Sequence, residues 1–131
     1  MADQEFPDDL RFSREDEWAR LEAERIVVGI TSYAQDQLGD IVFVELPELG
    51  ARFAAGESFG VVESVKAVSE LCAPVGGRIV AVNGDLADNP ERVNEDCYGA
   101  GWMVALEGSS AELEQLLDAA AYRSYVEERS E

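Results

Sequence analysis

The sequence contains no histidine. That absence removes Ser-His-Asp and Cys-His nucleophilic catalysis, imidazole general bases and nearly all of the usual catalytic zinc sites. Lysine is almost as scarce: nine of the ten basic residues are arginine, and Lys66 is the single lysine. Cysteine is limited to Cys72 and Cys97, far apart and without CxxC spacing, so neither a redox pair nor a metal site is expected. No apolar run approaches the roughly 20 residues needed to span a bilayer. The longest pieces, such as IVFV at 41–44, are strand-sized.

Basic charge is also in short supply. The chain carries 28 acids against 10 bases, a formal net charge of −18, which repels phosphate backbones and anionic lipid surfaces. Nucleic acid and membrane are therefore not expected as partners. The first ten residues, MADQEFPDDL, hold four acids and no base, the opposite of a secretory or organelle-targeting leader, and a cytoplasmic location is the expectation. At 131 residues with 47% hydrophobic and 29% charged side chains, the composition fits one soluble globular domain over residues 1–131.

What is present is mostly short β-forming runs bounded by glycine, asparagine, aspartate and proline. RIVVGI (25–30), DIVFVEL (40–46), SFGVVES (58–64), VKAVSEL (65–71), GRIVAVN (77–83) and GWMVALE (101–107) read as strands, and their spacing predicts a small all-β sandwich or barrel. Ser32 with Gln35 and a following Gly39 predict a short helix over 32–38. PERVNED (90–96) predicts a further helical turn, and Asn83-Gly84 a turn or loop. Ser109 with Glu112 forms a second capping box, and Leu113, Leu116, Leu117 and Ala120 share one face of an expected C-terminal helix over about 110–126. AGESFGVVES and VGGRIVAVNG share a glycine-strand-turn composition that would suit a pseudo-twofold sandwich.

Lys66 sits in GVVESVKAVSEL, between two valine-rich runs that predict a lysine hairpin over about 58–71. A reversal at Ser64 to Lys66 would lift the ammonium into solvent. Val65 disfavours positive φ, so the turn needs a type I geometry. Three roles are open to such a lysine. It is an ordinary surface side chain, a Schiff-base nucleophile requiring desolvation, or an attachment point for a cofactor arm. Amide formation requires a primary amine, which arginine lacks, and this accounts for one lysine in an otherwise arginine-only chain. Glu63 and Glu70 favour the charged ammonium and so oppose the Schiff-base role.

At ESVKAVSELCAPVGG the sequence resembles the glycine cleavage system H protein family. The resemblance continues through VGITSYAQDQLGDIVFVELPELG, AGESFGVVESVKAVSE, PERVNEDCYGAGWM and LLDAAAYRSY, nearly all of the chain past its first twenty residues. It implies a mainly β, barrel-sandwich hybrid fold of the lipoyl-domain type, with short helices and a C-terminal α-helix. It also implies a lipoyl group in amide linkage to Lys66, with Glu63, Ser64, Val65 and Ala67 recognised by the lipoylating enzyme. Biotinyl domains usually flank their lysine with methionine, whereas here Val65 and Ala67 do so.

The implied role is non-catalytic. The lipoyl arm would shuttle an aminomethyl intermediate and reducing equivalents between glycine decarboxylase, a pyridoxal-phosphate enzyme, an aminomethyltransferase and dihydrolipoyl dehydrogenase. The arm would be attached by a lipoate ligase or a lipoyl/octanoyl transferase, and once loaded would fold back into a cleft on the body. An H-like relay serving other lipoyl-dependent enzymes is the alternative. Two positions depart from the family pattern: Asp16-Glu17-Trp18 stands where His-Glu-Trp is usual, and Asp96-Cys97-Tyr98-Gly99 where Asp-Pro-Tyr-Gly is usual. Both bear on the cleft and on partner contacts.

Overall fold

The computed structural model describes residues 6–108 and 110–130. In chain order the elements are β1 (Arg11–Phe12), β2 (Glu17–Glu22), β3 (Arg25–Ile30), α1 (Ser32–Leu38), β4 (Ile41–Glu45), β5 (Arg52–Phe53) and β6 (Ser58–Ser64). They continue with β7 (Val68–Cys72), β8 (Gly77–Val82), α2 (Asp85–Asp88), α3 (Arg92–Glu95), β9 (Val104–Gly108), α4 (Ser110–Glu114) and α5 (Ala119–Ser130). One sheet runs β1-β2-β3-β9-β8-β5 and the other β4-β6-β7. The fold is mainly β, with two sheets, short helices and a C-terminal helix, as the sequence leads one to expect.

Two apolar clusters explain why β3 and β9 read as continuous hydrophobic runs. On β3, Ile26, Val28 and Ile30 enter the cluster shared with the small sheet, through Val44, Phe59, Val62 and Leu71. Val27 points the other way, into a second cluster under α5 with Phe12, Trp18, Tyr122 and Val126. On β9, Val104 and Leu106 face the first cluster and Ala105 the second. A strand covered on both faces loses its polar alternate positions. Within the second cluster the Phe12 and Tyr122 rings stack at 4.7 Å, 7° apart.

The β2–β3 pairing escapes sequence patterning. EWARLE forms β2 and pairs with β3 over its whole length, yet its charges mask the strand because Glu17 is buried beside Trp18 and Ala19. The connecting turn, Ala23-Glu24, puts Ala23 at φ 55, a position usually filled by glycine or asparagine, so no turn signal marks it. GDLADN, expected as turn or loop, contains α2.

The helix expected over about 110–126 is two helices. Leu117 leaves the helical pattern to exchange backbone hydrogen bonds with Phe12, at 2.8 and 2.9 Å. Asp118 then caps the start of α5, its carboxylate accepting from the Ala121 N–H at 2.8 Å. Leu113 and Leu116 pack on the first cluster and Leu117 on the second, while Ala120 is exposed, so they do not form one stripe. Ser109 lies outside the described residues, and Glu112 Oε1 accepts from the Gly76 N–H at 2.7 Å. Among the described residues no helix is long and apolar enough to cross a membrane.

Candidate functional site: the lysine turn and its acidic cavity

β6 and β7 pair antiparallel from Ser58↔Cys72 to Glu63↔Val68, leaving a four-residue reversal, Ser64 to Ala67. The strand expected to begin at Val65 therefore starts at Val68, and Val65, Lys66 and Ala67 occupy the turn. None of the three has positive φ. Ser64 braces the turn: its backbone N–H donates to the Ala67 carbonyl at 2.8 Å. Its hydroxyl accepts from the backbone N–H groups of Lys66 at 3.3 Å and Ala67 at 3.1 Å. This is the local hydroxyl-to-backbone bonding that favours serine in turns. Lys66 is exposed at the tip.

The turn is also held from outside the hairpin. The Val65 N–H donates to the Asp40 carbonyl at 3.2 Å. The preceding residue, Gly39, caps α1 at φ 80, and a Cβ built there would stand 3.7 Å from Lys66 Cε. The left-handed backbone favours glycine there, and the lysine stem passes at ordinary van der Waals distance. Asn94, on α3, fixes this connection. Its Oδ1 accepts from the Ile41 N–H at 2.8 Å, and its Nδ2 donates to the Gly39 carbonyl at 2.9 Å and to Gln35 Oε1 at 2.7 Å. At the other end of α1 the cap is Thr31 rather than Ser32, its Oγ1 accepting from the Ala34 N–H at 3.1 Å. Asn94, Asp40 and Gly39 carry no sequence signal for this role, since their contacts span distant elements.

Beside the hairpin, between β7, α1 and the β1–β2 connection, lies a cavity of about 150 Å³. Its lining includes Glu15, Asp16, Glu17, Leu38, Ser69 and Glu70. Glu17 is 1% exposed. Its Oε1 accepts from the Ser13 hydroxyl at 2.7 Å and its Oε2 from the Cys72 N–H at 3.0 Å. Burial pushes the Glu17 carboxyl up to about 8, against the opposing pull of those two hydrogen bonds, and the charges of Glu15 and Asp16 add to the rise. Burial, then the charge of Glu17, likewise pushes the Cys72 thiol up, away from thiolate chemistry.

The two divergent segments meet at Trp18, in the second apolar cluster. The Trp18 indole N–H donates to the Cys97 carbonyl at 2.9 Å, and the Trp18 and Tyr98 rings lie 6.1 Å apart. The Tyr98 hydroxyl accepts from the Ser32 N–H at 3.0 Å. Asp16, at φ 74, accepts from the Tyr122 hydroxyl at 2.8 Å and pairs with Arg129 at 2.7 Å, tying α5 to the β1–β2 connection. Tyr122 spends its proton on Asp16, so Thr31 donates to the Tyr122 oxygen at 2.8 Å. Burial pushes the Tyr122 phenol far up and keeps it neutral. Among the described residues no group of three His, Cys, Asp or Glu side chains could hold a metal ion.

Comparison with known proteins agrees over nearly the whole chain. A family model described as Glycine cleavage H-protein matches residues 10–129. A glycine cleavage system H protein of Anaeromyxobacter sp. (strain K) is 58% identical over 126 residues, 95% of this chain and 98% of that one. That of Brevibacillus brevis (strain 47 / JCM 6285 / NBRC 100599) is 56% identical over 125 residues, 95% and 99% of the two chains. The crystal structure of a glycine cleavage system H protein from Mycobacterium marinum superposes with a TM-score of 0.84 at 39% identity, covering 96% of this chain and 100% of that one. The chain belongs to the glycine cleavage H-protein family.

Proposed function

We propose that Lys66 carries a lipoyl group in amide linkage and that the whole chain acts as one non-catalytic lipoyl carrier of the glycine cleavage system. The observation that carries this reading is the exposed Lys66 on a turn braced by Ser64, Asp40 and Gly39, in a chain that matches the family from residue 10 to residue 129. The residues present fit the group. An exposed lysine at the tip of a turn can enter another protein's active site, and the braced turn keeps its backbone in place while it does. A Schiff-base lysine would need desolvation, which the turn does not provide.

When bound, lipoate would supply, as the oxidised dithiolane, an electrophilic sulfur that takes up a one-carbon unit and, as the reduced dithiol, two electrons for a redox partner. The chain contributes presentation and shelter. Glu63, Ser64, Val65 and Ala67, which flank or form the turn, offer the lipoylating enzyme, a ligase or a lipoyl/octanoyl transferase, a fixed shape. In the cavity Glu15 and Glu70 are the carboxylates left to face a cationic amine, since Asp16 is paired with Arg129 and Glu17 holds its proton, and the partly enclosed walls would limit access of water. Tethering holds the cargo at an effective concentration on the order of millimolar near each active site. The partners would be glycine decarboxylase, the aminomethyltransferase and dihydrolipoyl dehydrogenase, with the acidic surface steering docking onto basic rims.

Glycine–bicarbonate exchange with a glycine decarboxylase tests the reading. Lipoylated protein should support exchange and the Lys66→Arg protein should not. A fully lipoylated protein that fails to support exchange would instead favour a relay serving other lipoyl-dependent enzymes.

A further inference from the structure

The exposed apolar side chains are not scattered. Among the described residues six large hydrophobics are exposed, and four of them, Val42, Phe43, Val65 and Val68, lie on the small sheet or its lysine turn. The register explains how they converge. Phe43 stands opposite Glu63, and Glu63 opposite Val68, so the three side chains share one face of the β4–β6–β7 sheet. With strands about 4.8 Å apart, Phe43 and Val68 are about 10 Å from each other across that face. A β-bulge between Ile41 and Phe43 is the device that turns Phe43 outward: Ile41 and Val44 are buried, and Val42 and Phe43 both face solvent.

The next row of the same face is Glu45, Val61 and Glu70. Apolar side chains thus alternate with Glu45, Glu63 and Glu70, and Lys66 is the cation at the edge. Isolated exposed hydrophobics are ordinary, but a cluster edged by one sign of charge has the composition of an interface centre with a polar rim.

We propose that this face, centred on Phe43 and Val68 beside Lys66, docks the enzyme that acylates Lys66, through an apolar active-site mouth edged by arginine or lysine side chains. The inference rests on the carrier reading above and extends recognition from the lysine turn to β4. Of the enzymes that would handle the arm, the acylating one must bring its reacting atom to Lys66 Nζ itself. Its mouth must therefore cover Val65 and Val68, and the neighbouring strand follows. Enzymes acting at the far end of the arm are held off by the arm's length. In the step itself the ammonium loses one proton to become nucleophilic. Nζ then forms a C–N bond to the carbonyl of a lipoyl adenylate, the bond to the adenylate phosphate breaks with its electron pair, and the second proton leaves as the amide forms.

The test is the initial rate of lipoyl incorporation, followed by intact mass, with lipoate-protein ligase, lipoate and ATP over a range of unmodified protein concentrations. Phe43→Ser and Val68→Ser should each raise KM for the protein about tenfold, with kcat within about twofold of wild type. Leu21→Ser, which removes an exposed hydrophobic from the other sheet, should change neither. Glu45→Gln with Glu63→Gln should lessen the rise in KM that added salt causes in wild type. Wild-type KM in both serine variants would overturn the inference while leaving the carrier reading in place. If Phe43→Ser fails to fold by circular dichroism, the more exposed Val68→Ser decides alone. A wild-type protein that accepts no lipoyl group would sink the carrier reading and the inference together.

Discussion

The side-chain amide of Asn94 donates to the carbonyl of Gly39 at 2.9 Å, and Gly39 lies beneath the stem of Lys66. A helix at the edge of the fold thereby sets the ground on which the lysine turn rests. Asn94→Ala removes three hydrogen bonds and leaves the Ile41 N–H without its acceptor. Expected destabilisation is about 1–3 kcal/mol by chemical denaturation. Amide exchange at Val65, whose N–H donates to the Asp40 carbonyl, should speed up more than exchange in β3.

Glu17 gives the fold a pH dependence of definite sign. Its folded value, about 8, lies above the ordinary 4.5, so the folded state holds this proton more tightly than the unfolded chain does. Below about pH 4.5 both states are protonated and nothing is lost. As pH rises from there to about 8 the unfolded chain ionises freely and the folded one cannot, so stability falls by an amount on the order of a few kcal/mol. Glu17→Gln should flatten that decline, because the amide oxygen can accept from the Cys72 N–H and the amide N–H₂ can donate to the Ser13 hydroxyl. Denaturation midpoints at pH 5.0 and about 8.5 would show it.

Gly29 leaves room for the Trp18 indole. A Cβ there would stand 2.7 Å from Trp18 Nε1 and 2.8 Å from Cε2, and the ring is fully buried and bonded to the Cys97 carbonyl. The indole cannot retreat without giving up that bond. Gly29→Ala should cost about 1–3 kcal/mol, read as a lower denaturant midpoint with an unchanged slope.

Asp16 combines a left-handed backbone with the acceptor for Tyr122. Asp16→Asn tolerates φ 74 and keeps an oxygen for the Tyr122 hydroxyl, losing only the partly exposed charge pair with Arg129. It should stay within about 1 kcal/mol of wild type. Asp16→Ala loses the acceptor and strains the backbone, and should cost about 2–3 kcal/mol. Thermal unfolding of the pair separates the two contributions.

These positions also mark where sequence reasoning stops. RIVVGI is a strand to the residue because both of its faces are covered by apolar neighbours, and α1 ends where Gly39 says it should. Such features are written locally. The break between α4 and α5 is not, because it is decided by Phe12 pairing with Leu117 across the chain. The leucine spacing at 113, 116 and 117 imitates a single helix that the fold does not make. Lys66 stands out because no other lysine competes with it. The groups that hold it, Asn94, Asp40 and Gly39, come together only after α3, α1 and β4 have packed. Glu17 reads as one acid among many until β2 carries it into the interior beside Ser13 and Cys72.

The proposed carrier role requires covalent loading of Lys66, and intact-mass measurement after incubation with lipoate-protein ligase, lipoate and ATP tests it. Lys66 is the sole lysine, so the α-amino group is the one competing amine. The expected result is a single lipoyl increment on the wild-type protein and none on Lys66→Arg. An unmodified wild-type protein, or an increment that persists on Lys66→Arg, would contradict it.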